Sequence, residues 1–308
     1  MYIEEPKHLN YKRVILVVAI IVLVISCIYI GLILPRLVNI DKKNKQQITQ
    51  EQQVSEDNIR DNSNIIKVDL TPDAEPPARE EEETESILIN EQGIEKIKNI
   101  YHSDYKRVFL TFDDGPSKTV TPQILSILEQ YNIKATFFVL GSRVELYPDI
   151  VKDAYNKGHY IANHGYSHKY DYIYASTDNI IEEYRHTENI IRDALQMPNY
   201  YTNVFRFPGG SSGGKYNEVK QSAIQILKSN NIAYLDWNCL TKDSEGKFTK
   251  EELVQNLINT SQNKNSIVVL MHDAGNKKTT YEALPEIIEY FINNGYVFEN
   301  LYNILGGQ

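Results

Sequence analysis

At 308 residues, with 42% hydrophobic and 24% charged side chains, the chain can hold one or two packed domains and has an ordinary globular composition. A formal net charge of −9, with no basic patch interleaved with aromatics, argues against a nucleic-acid partner and says little about a neutral glycan. Cys27 and Cys239 fall in segments that should not meet, so no intramolecular disulfide is expected.

Residues 1–13 precede an uninterrupted apolar run at 14–34, bounded by Lys12-Arg13 and Pro35-Arg36. At about 1.5 Å per helical residue the run crosses a hydrocarbon core of about 30 Å, so it reads as a transmembrane helix. A cleaved signal peptide is the alternative, but the run exceeds the usual apolar length of about 7 to 15 residues and no Ala-x-Ala site follows. Lys7, Lys12 and Arg13 before it, and Arg36, Lys42, Lys43 and Lys45 after it, leave its orientation undecided by charge. Residues 35–100 read as a polar linker. Between 41 and 86 there is hardly an apolar cluster to offset chain entropy, and Glu80-Glu-Glu-Glu83 after Pro76-Pro77 extends the segment as a stalk. Ile87, Ile94, Ile97 and Ile100 then fall at helical spacing broken by Gly93, which predicts a short helix packed on the edge of the domain that follows.

Residues 101–308 form the predicted catalytic domain. Strand-like runs centre on Phe109, Phe138, Ile161, Phe205, Leu235, Val269 and Val297, and helical periodicity covers 124–131, 150–157, 178–195, 219–230, 251–260 and 281–294. This alternation implies an α/β fold of parallel strands with helical crossovers, and the pattern leaves an open doubly wound sheet and a barrel both possible. No repeat of 20 to 50 residues is visible.

The first strand ends in Asp113-Asp114, followed by Gly115-Pro116, so two carboxylates sit at the mouth of the sheet, where such folds place their chemistry. Adjacent like charges repel unless a metal or an arginine separates their roles, and the pair therefore predicts one metal ligand and one base. A solvated turn with an Asp cap is the bland alternative. After the strand-like run at 159–163, His164 and His168 supply two imidazoles. With a carboxylate and an open position for water, they complete the ligand set of a hydrolytic zinc. Arg206-Phe-Pro-Gly-Gly210 ends a further apolar run, and its glycines let backbone N–H groups approach a ligand as an oxyanion donor. His272 ends the run at 268–271 and is a candidate general acid, with Asp243 placed to hold its other ring nitrogen. Each segment alone has an ordinary reading as turn, core histidine or solvated aspartate. Together, in one order and each at a strand end, they point to a hydrolase. His8, His102, His159 and His186 fit no constellation and read as surface or packing residues.

These segments resemble the motifs of the polysaccharide deacetylases, the fourth carbohydrate-esterase family (NodB-like homology domain), over roughly residues 105 to 300. Within it the chain is most similar to membrane-anchored peptidoglycan N-acetylglucosamine deacetylases. Thr111-Phe-Asp-Asp-Gly-Pro116 is similar to the first motif, Asn163-His-Gly-Tyr-Ser-His168 to the second, Arg206-Phe-Pro-Gly-Gly210 to the third and Leu270-Met-His272 to the fifth. The resemblance implies a distorted, incomplete (β/α) barrel with its site at the C-terminal strand ends. It further implies Asp113 as base oriented by Arg206, a metal on Asp114, His164 and His168, the Gly209 amide at the oxyanion, and His272 as acid held by Asp243. The divalent ion would be zinc ahead of cobalt, nickel or manganese.

Three departures stand out. Gly165 replaces a Ser or Thr that fixes the histidine loop, Gly209 replaces a common aromatic that walls the groove, and Leu240-Thr-Lys-Asp-Ser244 keeps the second aspartate of the fourth motif without its tryptophan. The implied reaction is hydrolysis of N-acetyl groups on a cell-wall glycan, first of all peptidoglycan N-acetylglucosamine, at a bacterial cell membrane with the domain outside and the N-terminus inside. Alternatives are N-acetylmuramic acid or poly-N-acetylglucosamine as substrate, O-acetyl esterase activity, or a non-catalytic glycan-binding relative. No protein partner can be inferred.

Overall fold

Val108-Phe-Leu-Thr-Phe112 is β-branched or aromatic almost throughout, which suits a strand covered on both faces. In the computed structural model, which describes residues 89–306, it forms β1 (Arg107–Asp113), the strand on which the domain is built. The stretch 1–13 expected on the cytoplasmic side, the apolar run 14–34, the linker up to residue 88 and Cys27 lie outside the described residues. Among those described, no helix is long and apolar enough to cross a membrane.

In chain order the elements are α1 (Glu91–Lys98), β1, α2 (Thr121–Gln130), β2 (Thr136–Val139), α3 (Gly141–Leu146), α4 (Pro148–Asn156), β3 (Tyr160–Asn163), α5 (Tyr170–Ile173), α6 (Thr177–Leu195) and β4 (Val204–Phe205). They continue through α7 (Asn217–Ser229), β5 (Ala233–Tyr234), β6 (Cys239–Leu240), α8 (Lys250–Ser261), β7 (Ser266–His272), α9 (Lys278–Asn293), β8 (Val297–Glu299) and α10 (Leu301–Leu305). All pairings are parallel, in the order β5-β4-β3-β2-β1-β7-β6, and β8 pairs with the first half of β1. No ladder joins β5 to β6 among the described residues, so the sheet curls into a parallel-strand half-barrel rather than closing.

Alternation along β1 sorts its side chains between two cores. Val108, Leu110 and Phe112 face the outer layer with residues of α2, α8 and α9, whereas Phe109 joins an inner cluster with Phe138, Tyr160, Val204, Leu235 and Val268. By the same period Thr111 and Asp113 follow Phe109 inward, so the interior runs from apolar at the bottom to polar at the mouth. The bottom is sealed by α1, the turn after it and α10, whose Ile97, Ile100, Leu301 and Ile304 belong to the inner cluster. The helix expected from Ile87 to Ile100 is thus present as α1, starting after the Asn90 cap. Its Gly93 is required by crowding, because a Cβ there would lie 2.9 Å from Ile89 Cβ.

Each of the seven predicted strands has a counterpart, although β5 ends at Tyr234, one residue short of the expected centre Leu235. The two-residue β6 was not anticipated, because Asn-Cys-Leu-Thr carries no alternation and pairs only through Cys239 and Leu240 with β7. Short α3, α5 and α10 were also missed, being too brief for periodicity to register. Cys239 is buried in β6.

Candidate active site

The parallel register sets Asp113 opposite His272 at the C-terminal ends of β1 and β7. The two candidate proton-transfer groups therefore lie on neighbouring strands at one level. Asp113 is buried, and its Oδ1 accepts from Arg206 Nη1 at 2.8 Å. Burial raises the Asp113 pKa above the usual carboxylate value, and the Arg206 charge opposes that shift. Arg206 is 0% exposed and held at every point of its fork. It donates to Thr111 Oγ1 (2.7 Å), Leu235 O (2.9 Å) and Asp236 O (3.1 Å), with its guanidinium 3.9 Å from the Phe138 ring centroid. An arginine so fully paired serves as a fixed strut for Asp113.

Asp114 departs from the strand with φ +71°, a left-handed conformation that non-glycine residues rarely adopt, and His164 Nε2 lies between the two carboxylates, 3.7 Å from Asp113 Oδ2 and 3.6 Å from Asp114 Oδ1. His168 is likewise left-handed, at φ +55°. Asp114 Oδ1 faces His164 Nε2 at 3.6 Å and His168 Nε2 at 3.4 Å, and candidate ligand atoms of the three residues lie within 4.8 Å of one another. That oxygen is buried and has no hydrogen-bond partner among the described residues. His164 Nδ1 lies 2.8 Å from the Arg206 carbonyl, which can only accept, so Nδ1 carries the proton and the Nε2 lone pair faces Asp114. Burial lowers the His164 pKa to about 3, keeping the ring neutral. An orphaned carboxylate oxygen beside a neutral, correctly tautomerised imidazole fits a divalent cation with open positions.

The loop carrying both histidines is not slack, despite the glycine at 165. Asn163 Oδ1 accepts the Gly165 N–H at 2.9 Å, and Glu183, buried on α6, accepts the N–H groups of Tyr166 (2.9 Å) and Ser167 (3.1 Å) as well as the Ser167 hydroxyl. At φ +79°, and with a Cβ falling 3.0 Å from Glu183 Oε2, position 165 needs glycine. Other residues therefore supply the hydrogen bonds that a Ser or Thr would have made.

Phe207-Pro208-Gly209-Gly210 makes a turn closed by Gly210 N–H to Phe207 O at 2.8 Å, with Pro at the second place and Gly209 at φ +73° in the third, the pattern of a type II turn. The Gly209 N–H donates to no protein acceptor among the described residues, and Gly209 is exposed between buried neighbours. The groove wall expected to be lost at Gly209 is occupied by another residue: a Cβ at 209 would lie 2.5 Å from the Tyr170 hydroxyl. Tyr170 is 40% exposed, and its ring centroid is 5.4 Å from that of His168.

His272 Nδ1 meets Asp243 Oδ1 at 2.7 Å, while Asp243 Oδ2 accepts the His272 N–H and the Thr280 hydroxyl, both at 2.8 Å. Burial would depress the His272 pKa, but the Asp243 hydrogen bond and charge, joined by Asp113 and Asp114, outweigh it and raise the pKa to about 9. Burial also acts to raise Asp243, and its bonds to His272 and Thr280 prevail, holding it below the ordinary value. The altered fourth motif thus leaves the contact of Asp243 with His272 intact. Leu240 lies in β6, and Ser244 is exposed.

All the predicted residues meet at this mouth. Sequence reading missed Glu183, Tyr170, Tyr174, Lys220 and Asp273, whose contacts span too many residues for any local pattern to disclose. Only Asp273 carried a signal, as the neighbour of His272. It is buried, accepts the Thr121 hydroxyl at 2.6 Å, and is raised by burial to about 7. A Cβ on Gly115 would overlap its carboxylate. Of the unassigned histidines, His159 is a packing residue whose Nδ1 accepts the Ala135 N–H at 3.0 Å, His102 and His186 are exposed, and His8 lies outside the described residues.

Residues 101–234 match a family model described as polysaccharide deacetylase. A Bacillus cereus peptidoglycan-N-acetylglucosamine deacetylase is 31% identical over 212 residues, which cover 68% of this chain and 72% of the relative. The structure of a Streptococcus mutans CE4 esterase superposes with a TM-score of 0.61 at 32% identity, covering 67% of this chain and 90% of that one. A CE4 family pseudoenzyme from Bacillus anthracis superposes at 0.56 with 25% identity, covering 66% of each chain.

Proposed function

Because this chain belongs to the polysaccharide deacetylase family, we propose that it hydrolyses N-acetyl groups of a cell-wall glycan, foremost peptidoglycan N-acetylglucosamine, to glucosamine and acetate. The observation that carries the reading is the pairing of Asp113 with His272 across one ladder, each with its own orienting partner, beside the Asp114–His164–His168 cluster. Binding a sugar requires neither a base nor an acid.

A divalent ion held by Asp114, His164 and His168, zinc first among the candidates, would assist ionisation of the attacking water and polarise the acetyl carbonyl. Asp113, ionised and fixed by Arg206, takes the proton of the water whose oxygen bonds to the acetyl carbon. The Gly209 N–H donates to the carbonyl oxygen as it gains negative charge, a contact of a kind that contributes about 3 kcal/mol. His272, protonated and held by Asp243, gives its proton to the sugar nitrogen as the C–N bond breaks. An amine leaves poorly without that proton, so acid and base must be separate groups. Asp113 and His272 are separate groups facing one site.

The test is acetate release by the purified, metal-loaded protein from defined peptidoglycan fragments, N-acetylglucosamine oligomers and O-acetylated xylan. Release from peptidoglycan N-acetylglucosamine above the others is expected. The similarity to a pseudoenzyme supports a second reading, a non-catalytic glycan binder, and binding without release from any substrate would establish that one instead.

A further inference from the structure

Glycine at 209 creates a problem that the rest of the turn must solve. The central peptide of a β-turn, here Pro208–Gly209, can face either way, and a side chain at the third position normally helps to choose between the two. Glycine admits both orientations. In one of them the Gly209 N–H faces the site, and in the other the Pro208 carbonyl does.

Three side chains from different elements grip this turn. Tyr174, buried just after α5, donates its hydroxyl to Pro208 O at 2.6 Å. Lys220 on α7, only 4% exposed, donates to Gly210 O at 2.7 Å and holds its ammonium 4.7 Å from the Tyr174 ring centroid. Asp236 accepts the Ser211 N–H at 3.0 Å and the Ser211 hydroxyl at 2.5 Å. Lys220 makes no direct ion pair among the described residues, with Asp236 acting on it only at a distance, so its burial is costly, and it has no proton-transfer part in the chemistry above. Its hydrogen bond goes to the turn and its ammonium lies over the Tyr174 ring. Because a trans peptide points its C=O and N–H in opposite directions, a hydrogen bond on Pro208 O fixes where the Gly209 N–H points. It also polarises that N–H, as linked hydrogen bonds do.

We propose that Tyr174, backed by Lys220, is a positioning residue that holds the Pro208–Gly209 peptide with its N–H directed into the site, an assignment that rests on the deacetylase reading for its catalytic consequence. The hydroxyl of Tyr174 is a lock on the oxyanion donor, contributed by the segment that follows the histidine loop. Metal-ligand loop and oxyanion turn are thereby coupled through one side chain.

Tyr174→Phe removes one oxygen and keeps the ring under Lys220. In the metal-loaded protein, kcat for acetate release should fall roughly 10- to 100-fold, less than the roughly 10²- to 10³-fold that follows loss of a whole donor, with KM and metal content unchanged. Lys220→Met should give a smaller loss of the same kind, and Lys220→Arg should recover it. A second measurement needs no turnover: in protein labelled with ¹⁵N-glycine, the Gly209 amide resonance should shift and exchange faster in Tyr174→Phe, while those of Gly158 and Gly295 stay in place. Native kcat in Tyr174→Phe, or a raised KM alone, would overturn the assignment. Should the native protein release no acetate from any glycan, the deacetylase reading falls and the Gly209 resonance decides the lock by itself, an unmoved resonance refuting it.

Discussion

The roles proposed for His272 as acid and Asp113 as base give the site a definite pH window. The base works only when ionised, so activity is lost as pH falls through the Asp113 pKa, which burial places above the usual carboxylate range. The acid works only when protonated, so activity is lost as pH rises through the His272 pKa of about 9. Asp243→Asn removes the charge that opposes burial at His272 and leaves at most a neutral hydrogen bond, so the alkaline limb of kcat/KM should move down toward the ordinary imidazole range, and a pH profile of the variant checks this. An unmoved limb would assign it to another group. Asp113→Asn keeps the shape and much of the hydrogen bonding to Arg206 but removes the base, and should cut kcat by roughly 10²- to 10⁴-fold with metal content unchanged. Near-normal acetate release by that variant would refute the chemistry. The places of Asp113, His272 and Arg206 were legible in the sequence because they end apolar runs, where little but function explains a charge, whereas the orienting part proposed for Arg206 came from the family resemblance. Tyr174, Lys220 and Glu183 were not, because a buried tyrosine, lysine or glutamate in or beside a helix reads as packing until the loop or turn it grips is seen.

Helix α1 is the element that most changes the reading of the N-terminal half. Its position was legible from isoleucines at helical spacing, but its place was not: it seals the open bottom of the half-barrel, and does not lie on an outer edge. Ile97 in α1 is 1% exposed and Ile100, two residues past its end, fully buried, both in the inner cluster that holds Phe109, Leu235 and Val268. Truncating either leaves a cavity that rigid strand side chains cannot fill, so Ile97→Ala or Ile100→Ala should destabilise by about 2–5 kcal/mol. Denaturant unfolding of the two variants measures this, and a change under about 0.5 kcal/mol, typical of a surface site, would show that α1 is not part of the folding unit. Apart from β6, the strands were legible because even the short ones lie in continuous apolar or aromatic runs, and the longer helices because a 3.6-residue period survives over several turns. The two-residue β6 was not, being held by ladder bonds to β7 rather than by any pattern of its own.

At the scale of the whole chain, the family match begins at residue 101, and α1 extends the packed domain back to about residue 89. We propose that the apolar run at 14–34 stays in the mature protein as a single membrane anchor, with the intervening polar residues as a spacer and the domain outside the cell. The physical support is length and composition: the run can span the hydrocarbon core, no small-residue cleavage site follows it, and residues 41–86 have too few apolar side chains to form a core of their own. An enzyme acting on its own cell's wall gains from such tethering, because a glycan mesh just beyond the membrane is then always within reach of the spacer. The charges flanking the run do not choose a direction, so the substrate must, and peptidoglycan lies outside. Protease added to intact cells should therefore cut within 41–86 and release a soluble fragment that retains acetate-releasing activity, while the anchor stays with the membrane. A domain protected until lysis would reverse the topology. A full-length domain found free in the medium, its N-terminus just after residue 34, would show that the run is removed.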